Sequence, residues 1–188
     1  MKMLIMVGLL CMISCQKRRE VSFESITLTT LEGQNVPIKT ASTENILVFI
    51  FMSPDCPLCI SYTKTIMDLH ETFHSKNIGF YPVYAGTFHS VEEIMKFQSD
   101  YAFNLTGYID PQYRFCNLVS ATITPQAVVM NREGKILYTG AIDDWMYNTG
   151  KKKAVIRHHY LQDAIQSILS GQEVVPAQTE PIGCFIEL

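Results

Sequence analysis

Cys56-Pro57-Leu58-Cys59 follows the apolar run Ile46-Leu47-Val48-Phe49-Ile50-Phe51-Met52 and precedes an amphipathic stretch. That order sets two thiols where a strand hands over to a helix. The first turn of a helix carries unpaired N–H groups and a positive dipole end, which stabilise a thiolate on the first cysteine. With a helix over 56–75, Cys59, Thr63, Ile66, Met67, His70 and Phe73 share one face, so Cys59 points into the core. An exposed attacking sulfur at Cys56 and a buried resolving sulfur at Cys59 are the parts disulfide exchange needs. The competing reading of such a pair is half of a structural zinc site. That site takes two further ligands at short spacing, and the sequence has no second C-x-x-C.

The elements that would hold this pair can be read along the chain. Residues 25–30 alternate, Leu31-Glu32-Gly33-Gln34-Asn35 reads as a turn, and Val36-Pro37-Ile38 returns, which predicts a β-hairpin. Residues 46–52 form a buried strand, 56–75 a helix, and 78–84 a second buried strand, which together make a βαβ unit with a parallel sheet. Ser90 caps a short helix to about Asp100 with Glu92 and Glu93 at its positive end. Asp110-Pro111 reads as the cap and first residue of another helix. Residues 127–130 and 135–138 around Asn131-Arg132-Glu133-Gly134 predict an antiparallel hairpin. Leu161, Ala164, Ile165 and Ile168 line a last helix that Gly171 closes.

The first fourteen residues hold Lys2 and an apolar core from Met3 to Ile13, shorter than the roughly 20 residues of a membrane-spanning helix. This is a signal-peptide pattern. Met12-Ile13-Ser14-Cys15 resembles a bacterial lipobox, which implies cleavage before Cys15 and lipidation of its sulfur. The expected organisation is a signal peptide over 1–14, a lipidated tether over 15–22, one domain over 23–175, and a C-terminal extension over 176–188 packed on it. At 188 residues and 47% hydrophobic, the chain can build a core without disulfide staples. A net charge of −3 argues against a nucleic-acid partner. Its basic clusters, Lys17 to Arg19 and Lys151 to Lys153, read as a tether and a solvated loop.

A β-hairpin, a strand, a C-x-x-C helix, a strand, a helix, Thr124-Pro125 before a hairpin, and a last helix form the order of the thioredoxin fold. The chain resembles the redoxin-domain thiol-disulfide oxidoreductases of bacterial cell envelopes. Ser53-Pro54-Asp55-Cys56-Pro57-Leu58-Cys59 takes the place of the family's active-site segment, and Thr124-Pro125 that of its cis-proline. The match covers about residues 22–171, and Ala141-Ile142-Asp143-Asp144 and Pro181-Ile182-Gly183-Cys184 add to it. The resemblance implies an α/β, three-layer thioredoxin-like fold: a mixed central sheet, an N-terminal β-hairpin extension and flanking helices. It implies Cys56 and Cys59 as catalytic residues, with Ser53, Pro54, Asp55, Pro57 and Leu58 as the active-site loop. Thr124 and Pro125 would offer backbone hydrogen bonds to an extended substrate. The redox group would be the Cys56–Cys59 disulfide itself, with no other cofactor and no metal. Partners would be protein thiols and disulfides, an unidentified redox partner, and a membrane reached through lipid on Cys15. The location would be the cell envelope, facing the periplasm or exterior. Two positions depart from the family: Ile50 stands where classical thioredoxins bury a carboxylate, and Tyr62 where several relatives have a glutamate.

Two other functions compete. A peroxidase of the peroxiredoxin type would use Cys56 with Ser53 three residues before it, but Phe49 stands where that family has its proline. A copper-delivery thioredoxin fold would draw nitrogen from His158 or His159, yet such relatives space their cysteines C-x-x-x-C. Two thiols remain. Cys116 is expected beside the apolar face of the helix from Pro111, and Cys184 lies in an apolar terminal segment that must hide Phe185 and Ile186. The two could pair, closing a loop of about 68 residues worth on the order of 4 kcal/mol. As separate thiols, a Cys184 lying near Cys56 would instead point to an auxiliary redox role.

Overall fold

A computed structural model of the protein describes residues 22–187 apart from 42 and 149. The expected signal segment 1–14 and Cys15 lie outside the described residues. The hairpin forms from β1 (Thr27–Thr30) and β2 (Asn35–Pro37), with Gly33 taking the positive φ of 83° that its turn requires. β3 (Ile46–Met52) is the axis of a seven-stranded mixed sheet. It pairs in parallel with β4 (Ile78–Ala85) and antiparallel with β7 (Gln126–Asn131). β5 (Tyr108–Asp110) joins β4 to the hairpin, and β8 (Ile136–Gly140) forms the other edge, giving the order β2-β1-β5-β4-β3-β7-β8.

The unbroken apolar run of β3 is explained by burial on both faces. Val48, Ile50 and Met52 face one layer and Leu47, Phe49 and Phe51 the other, as the two-residue period requires. The first layer holds α1 (Pro57–Phe73), α2 (Val91–Asp100) and α4 (Tyr160–Leu169). α1 buries Cys59, Tyr62, Thr63, Ile66, Leu69 and Phe73, while Met67 and His70 are half-buried at its margin. The Ser90 hydroxyl accepts from Glu93 N and the Glu93 carboxylate from Ser90 N, a closed capping box for α2. The opposite layer is α3 (Arg114–Val119) with Phe23, Ile26 and Ile38 from the N-terminal segment. These are the three layers and mixed sheet of a thioredoxin-like fold.

Several local expectations differ. α3 begins at Arg114, not at Pro111, because Tyr113 adopts a left-handed φ of 54° and breaks the helical path. Asp110 still caps it from a distance: its carboxylate accepts from Arg114 N at 2.9 Å and Cys116 N at 2.8 Å. Cys116 is fully buried rather than at the core boundary, its thiol donating to Ala121 O at 3.2 Å. β5 has three residues, too few to show a period in the sequence.

The segment after Asp143-Asp144 is a ribbon of β9 (Met146–Asn148) and β10 (Lys151–Lys152). Lys151 and Lys152 are exposed, whereas Lys153 is half-buried, with its Nζ 2.6 Å from the buried Asp144 carboxylate. Burial opposes charge on Asp144, yet Lys153 and the N–H groups of Arg157 and His158 more than offset it. They hold that carboxyl well below the usual range.

Beyond α4, Gly171 (φ +68°) turns the chain back along the β8 edge. Thr139 and Thr179 mark that docking, with Thr179 N donating to Thr139 O at 3.0 Å. The Thr179 hydroxyl also accepts from Ala141 N at 2.9 Å and meets the buried Tyr138 hydroxyl at 2.6 Å. The terminal segment then adds β11 (Cys184–Phe185) antiparallel to β6 (Ile123–Thr124). Phe185 is not hidden by this docking; it remains 82% exposed.

Candidate active site

The β3–α1 junction, the β6–β7 corner and the C-terminal strand converge on Cys56. Cys56 is the N-cap of α1 with extended backbone, and Pro57 occupies N1, where its missing N–H costs nothing and its fixed φ suits the helix. One turn on, Cys59 is fully buried, and Ser53 N donates to its sulfur at 3.3 Å. Thr124 and Pro125 are joined by a cis peptide bond, and the Thr124 carbonyl accepts from the Cys56 thiol at 3.3 Å.

The sulfurs are electrostatically unequal. A hydrogen bond from the Cys59 thiol is the main influence pulling Cys56 down to about 5, against the effect of burial. The Cys184 thiol, the Cys59 backbone N–H and Thr124 add to it. Cys59 is pushed the other way, first by burial and then by its bond to Cys56 and that group's charge. The arrangement therefore biases Cys56 toward the thiolate and Cys59 toward the thiol, the division of roles that exchange requires.

Cys56 itself is only 1% exposed, contrary to the expectation of an open attacking sulfur. The reason lies at the far end of the chain. β11 runs beside β6 with Cys184 opposite Thr124, the residue whose carbonyl meets the Cys56 thiol, and Cys184 packs against the cluster that contains Cys56. Cys184 is consequently remote from any bridge to Cys116. Cys116 packs in the layer on the other sheet face, and both are free thiols.

A cleft of about 320 Å³ opens beside these residues, lined by Ser53, Asp55, Tyr84, His89, Tyr113 and Cys184 among others. The Ser53 hydroxyl donates to the Asp55 carboxylate and meets His89 Nε2 at 3.0 Å, while Asp55 lies 3.2 Å from the same nitrogen. The Ser53 hydroxyl is thereby engaged by Asp55 and His89, while its backbone carbonyl accepts from Cys56 N at 3.3 Å. The Ser53 bond, followed by the charge of His89, keeps the Asp55 carboxyl below its usual range despite some burial.

A buried carboxylate also reaches this end of the sheet from an element the sequence did not connect to it. Tyr62, one turn after Cys59, donates to Asp143 Oδ1 at 2.6 Å, and Trp145 N donates to the same oxygen at 2.9 Å. Tyr62 and Asp143 line a small pocket with Pro125 and Ile182. Burial, and then the Asp143 carboxylate, raise the Tyr62 phenol so that it stays a donor.

His70-Glu71-Thr72-Phe73-His74 has a helical histidine spacing that sequence reasoning overlooked. His74 Nδ1, however, lies against the carbonyls of Glu71 at 2.9 Å and His70 at 3.3 Å. His158 and His159 are exposed before α4. Among the described residues no group of three or more His, Cys, Asp or Glu is placed to hold a metal ion.

The Redoxin family model matches residues 19–146. The chain belongs to the Redoxin family. It is an oxidoreductase with a thioredoxin-like redox function. No curated protein matches this redoxin significantly. Among solved structures, it is similar to an uncharacterized conserved protein from Geobacillus kaustophilus, at 21% identity and a TM-score of 0.75, covering 87% of this chain and 88% of that one. It is also similar to a secreted Mycobacterium tuberculosis disulfide oxidoreductase homologous to Escherichia coli DsbE. That match has 18% identity and a TM-score of 0.55, over 79% of this chain and 97% of the other. The thioredoxin domain of a thiol-disulfide oxidoreductase from Bacteroides vulgatus gives 17% and 0.51, over 61% and 81%. At these identities the structural likeness speaks for the fold, and the family match for the redox class.

Proposed function

We propose that this redoxin is an extracytoplasmic thiol-disulfide oxidoreductase that exchanges protein disulfides through Cys56 and Cys59. The observation that carries the reading is the placement of the two sulfurs: Cys56 is the N-cap of α1 with its thiol on the carbonyl that precedes the cis Thr124–Pro125 bond, and Cys59, one turn inside, is fully buried. The Cys56 thiolate attacks a substrate disulfide, forming a mixed disulfide and expelling the substrate's other sulfur as a thiolate. Cys59 then gives up its proton and attacks Cys56, releasing the reduced substrate and leaving the Cys56–Cys59 disulfide. The reverse sequence oxidises a dithiol. Thr124 and Pro125 border the attacking sulfur and offer main-chain groups to an extended partner. Pro54 and Leu58 complete the loop that shapes the approach.

The test is to equilibrate the chain in glutathione buffers from reducing to oxidising and tag the remaining thiols. Cys56 and Cys59 should disappear together in one two-electron transition, and Cys56→Ser should abolish it. Two thiols that persist through every buffer would refute the assignment. Lipidation of Cys15 after removal of residues 1–14 would hold the domain at a membrane in the cell envelope. Cys15→Ala should then shift the protein from the detergent phase to the aqueous phase. Unchanged partitioning would remove the anchor from the proposal.

A further inference from the structure

The Cys56–Cys59 mechanism leaves a third thiol in the site unused. Cys184 is carried by a strand that pairs with β6 at Thr124, the main-chain edge an incoming extended partner would use. The docking is built into the local sequence. A side chain at Gly183 would collide with the backbone carbonyl of Thr124, so only glycine lets the strand approach this closely. Thr124 Oγ1 donates to Cys184 O at 3.5 Å, and Ile186 N donates to Thr122 O at 2.9 Å, tying the strand at the cysteine and two residues beyond it. The result is a cysteine presented to Cys56 by backbone pairing, with Cys56 closed off from solvent.

We propose that Cys184 is a third redox-active thiol, the in-chain substrate of the Cys56–Cys59 disulfide, presented by a terminal strand that occupies the partner's place. The inference rests on the thiol-disulfide reading above. In the step, Cys184 loses its proton and its sulfur attacks Cys56 Sγ. The Cys56–Cys184 bond forms, the Cys56–Cys59 bond breaks, and Cys59 leaves with the electron pair and takes up a proton. No external oxidant or reductant is consumed, because one disulfide replaces another. Burial first, and then the hydrogen bond and charge of Cys56, raise the Cys184 thiol in the reduced protein; the part due to Cys56 is absent once Cys56 is oxidised, which eases the attack in the state that needs it. An external partner must displace β11 to reach Cys56, and the same displacement separates Cys184 from it.

The experiment equilibrates the full chain carrying Cys59→Ser with oxidised glutathione, quenches it with acid, and maps disulfides by mass spectrometry of peptides. An attached, positioned thiol has an effective concentration of at least the millimolar order, which competes with free glutathione. Cys56–Cys184 should therefore dominate, with the Cys56–glutathione adduct below about a tenth of it. Adding Gly183→Val should reverse that ratio by at least about tenfold by expelling the strand. A stable glutathione adduct on Cys56 with Cys184 left free would overturn the proposal, as would a product ratio insensitive to Gly183→Val. Wild-type protein in the same buffer separates the two levels. A wild type that forms Cys56–Cys59 while the variant forms no Cys56–Cys184 overturns this proposal alone, and a wild type that forms neither overturns the parent reading with it. Cys59→Ala gives the same readout if the serine variant does not fold.

Discussion

Removing the Cys59 thiol should weaken the acidity of Cys56, and the size of the effect follows from the site. The Cys59 hydrogen bond is the largest influence lowering Cys56 to about 5 from an ordinary 9.0. A hydrogen bond to a charged group contributes roughly 1.5–3 kcal/mol, and one pKa unit corresponds to about 1.4 kcal/mol. Cys59→Ala should therefore raise the Cys56 midpoint by about 1–2 units, to roughly 6–7. At about pH 6 the thiolate fraction falls from roughly 90% to between about 10% and 50%. The assay is the rate of iodoacetamide alkylation of Cys56 in reduced protein across pH, located by peptide mapping. The midpoint is the quantity to read, because the plateau rate moves for other reasons. A more basic thiolate is intrinsically about threefold more nucleophilic per unit of pKa. A midpoint that stays near 5, or falls, in Cys59→Ala would refute the claim that Cys59 holds the thiolate, leaving the helix terminus and Cys184 to account for it.

Three further outcomes are expected. Because the folded pKa of Cys56 lies below its ordinary value, its contribution to the stability of the reduced protein is complete above about pH 9 and is lost as pH falls through about 5. Between about pH 7 and pH 5, urea unfolding should show reduced wild type losing roughly 2 kcal/mol more than Cys56→Ser, and parallel curves would contradict it. Tyr62→Phe leaves the buried Asp143 carboxylate without its 2.6 Å donor and should cost about 1–3 kcal/mol by the same measurement. Phe115→Ala empties a site between Phe49 at 4.8 Å and Phe51 at 5.6 Å and should cost about 3–5 kcal/mol. Its Cys56–Cys59 titration should be unchanged, since Phe115 packs on the sheet face opposite α1.

The order of elements was legible in the residues because each rests on local chemistry. The seven apolar residues of β3 need a strand buried on both faces. The Ser90–Glu93 box starts a helix from its own side chains, and Gly33 and Gly171 mark turns by tolerating positive φ. The candidate cysteines were legible for the same reason, since a strand, C-x-x-C and an amphipathic helix are contiguous. The three residues of β5 carry no period, and α3 is delayed by a turn in which Tyr113 N donates to Asp110 O at 3.1 Å and Tyr113 takes a left-handed φ. Tyr62 and Asp143 are 81 residues apart and Cys56 and Thr124 are 68 apart, distances over which no spacing rule operates. His89 reaches Ser53 and Asp55 from the loop before α2 without any motif to announce it. The burial of Cys56 was decided furthest away, by a strand at the chain's end. Sequence fixes which groups are chemically able, through residue type and local periodicity. Only closure of the chain into a sheet decides which of them meet, because those contacts come from packing between elements distant in sequence.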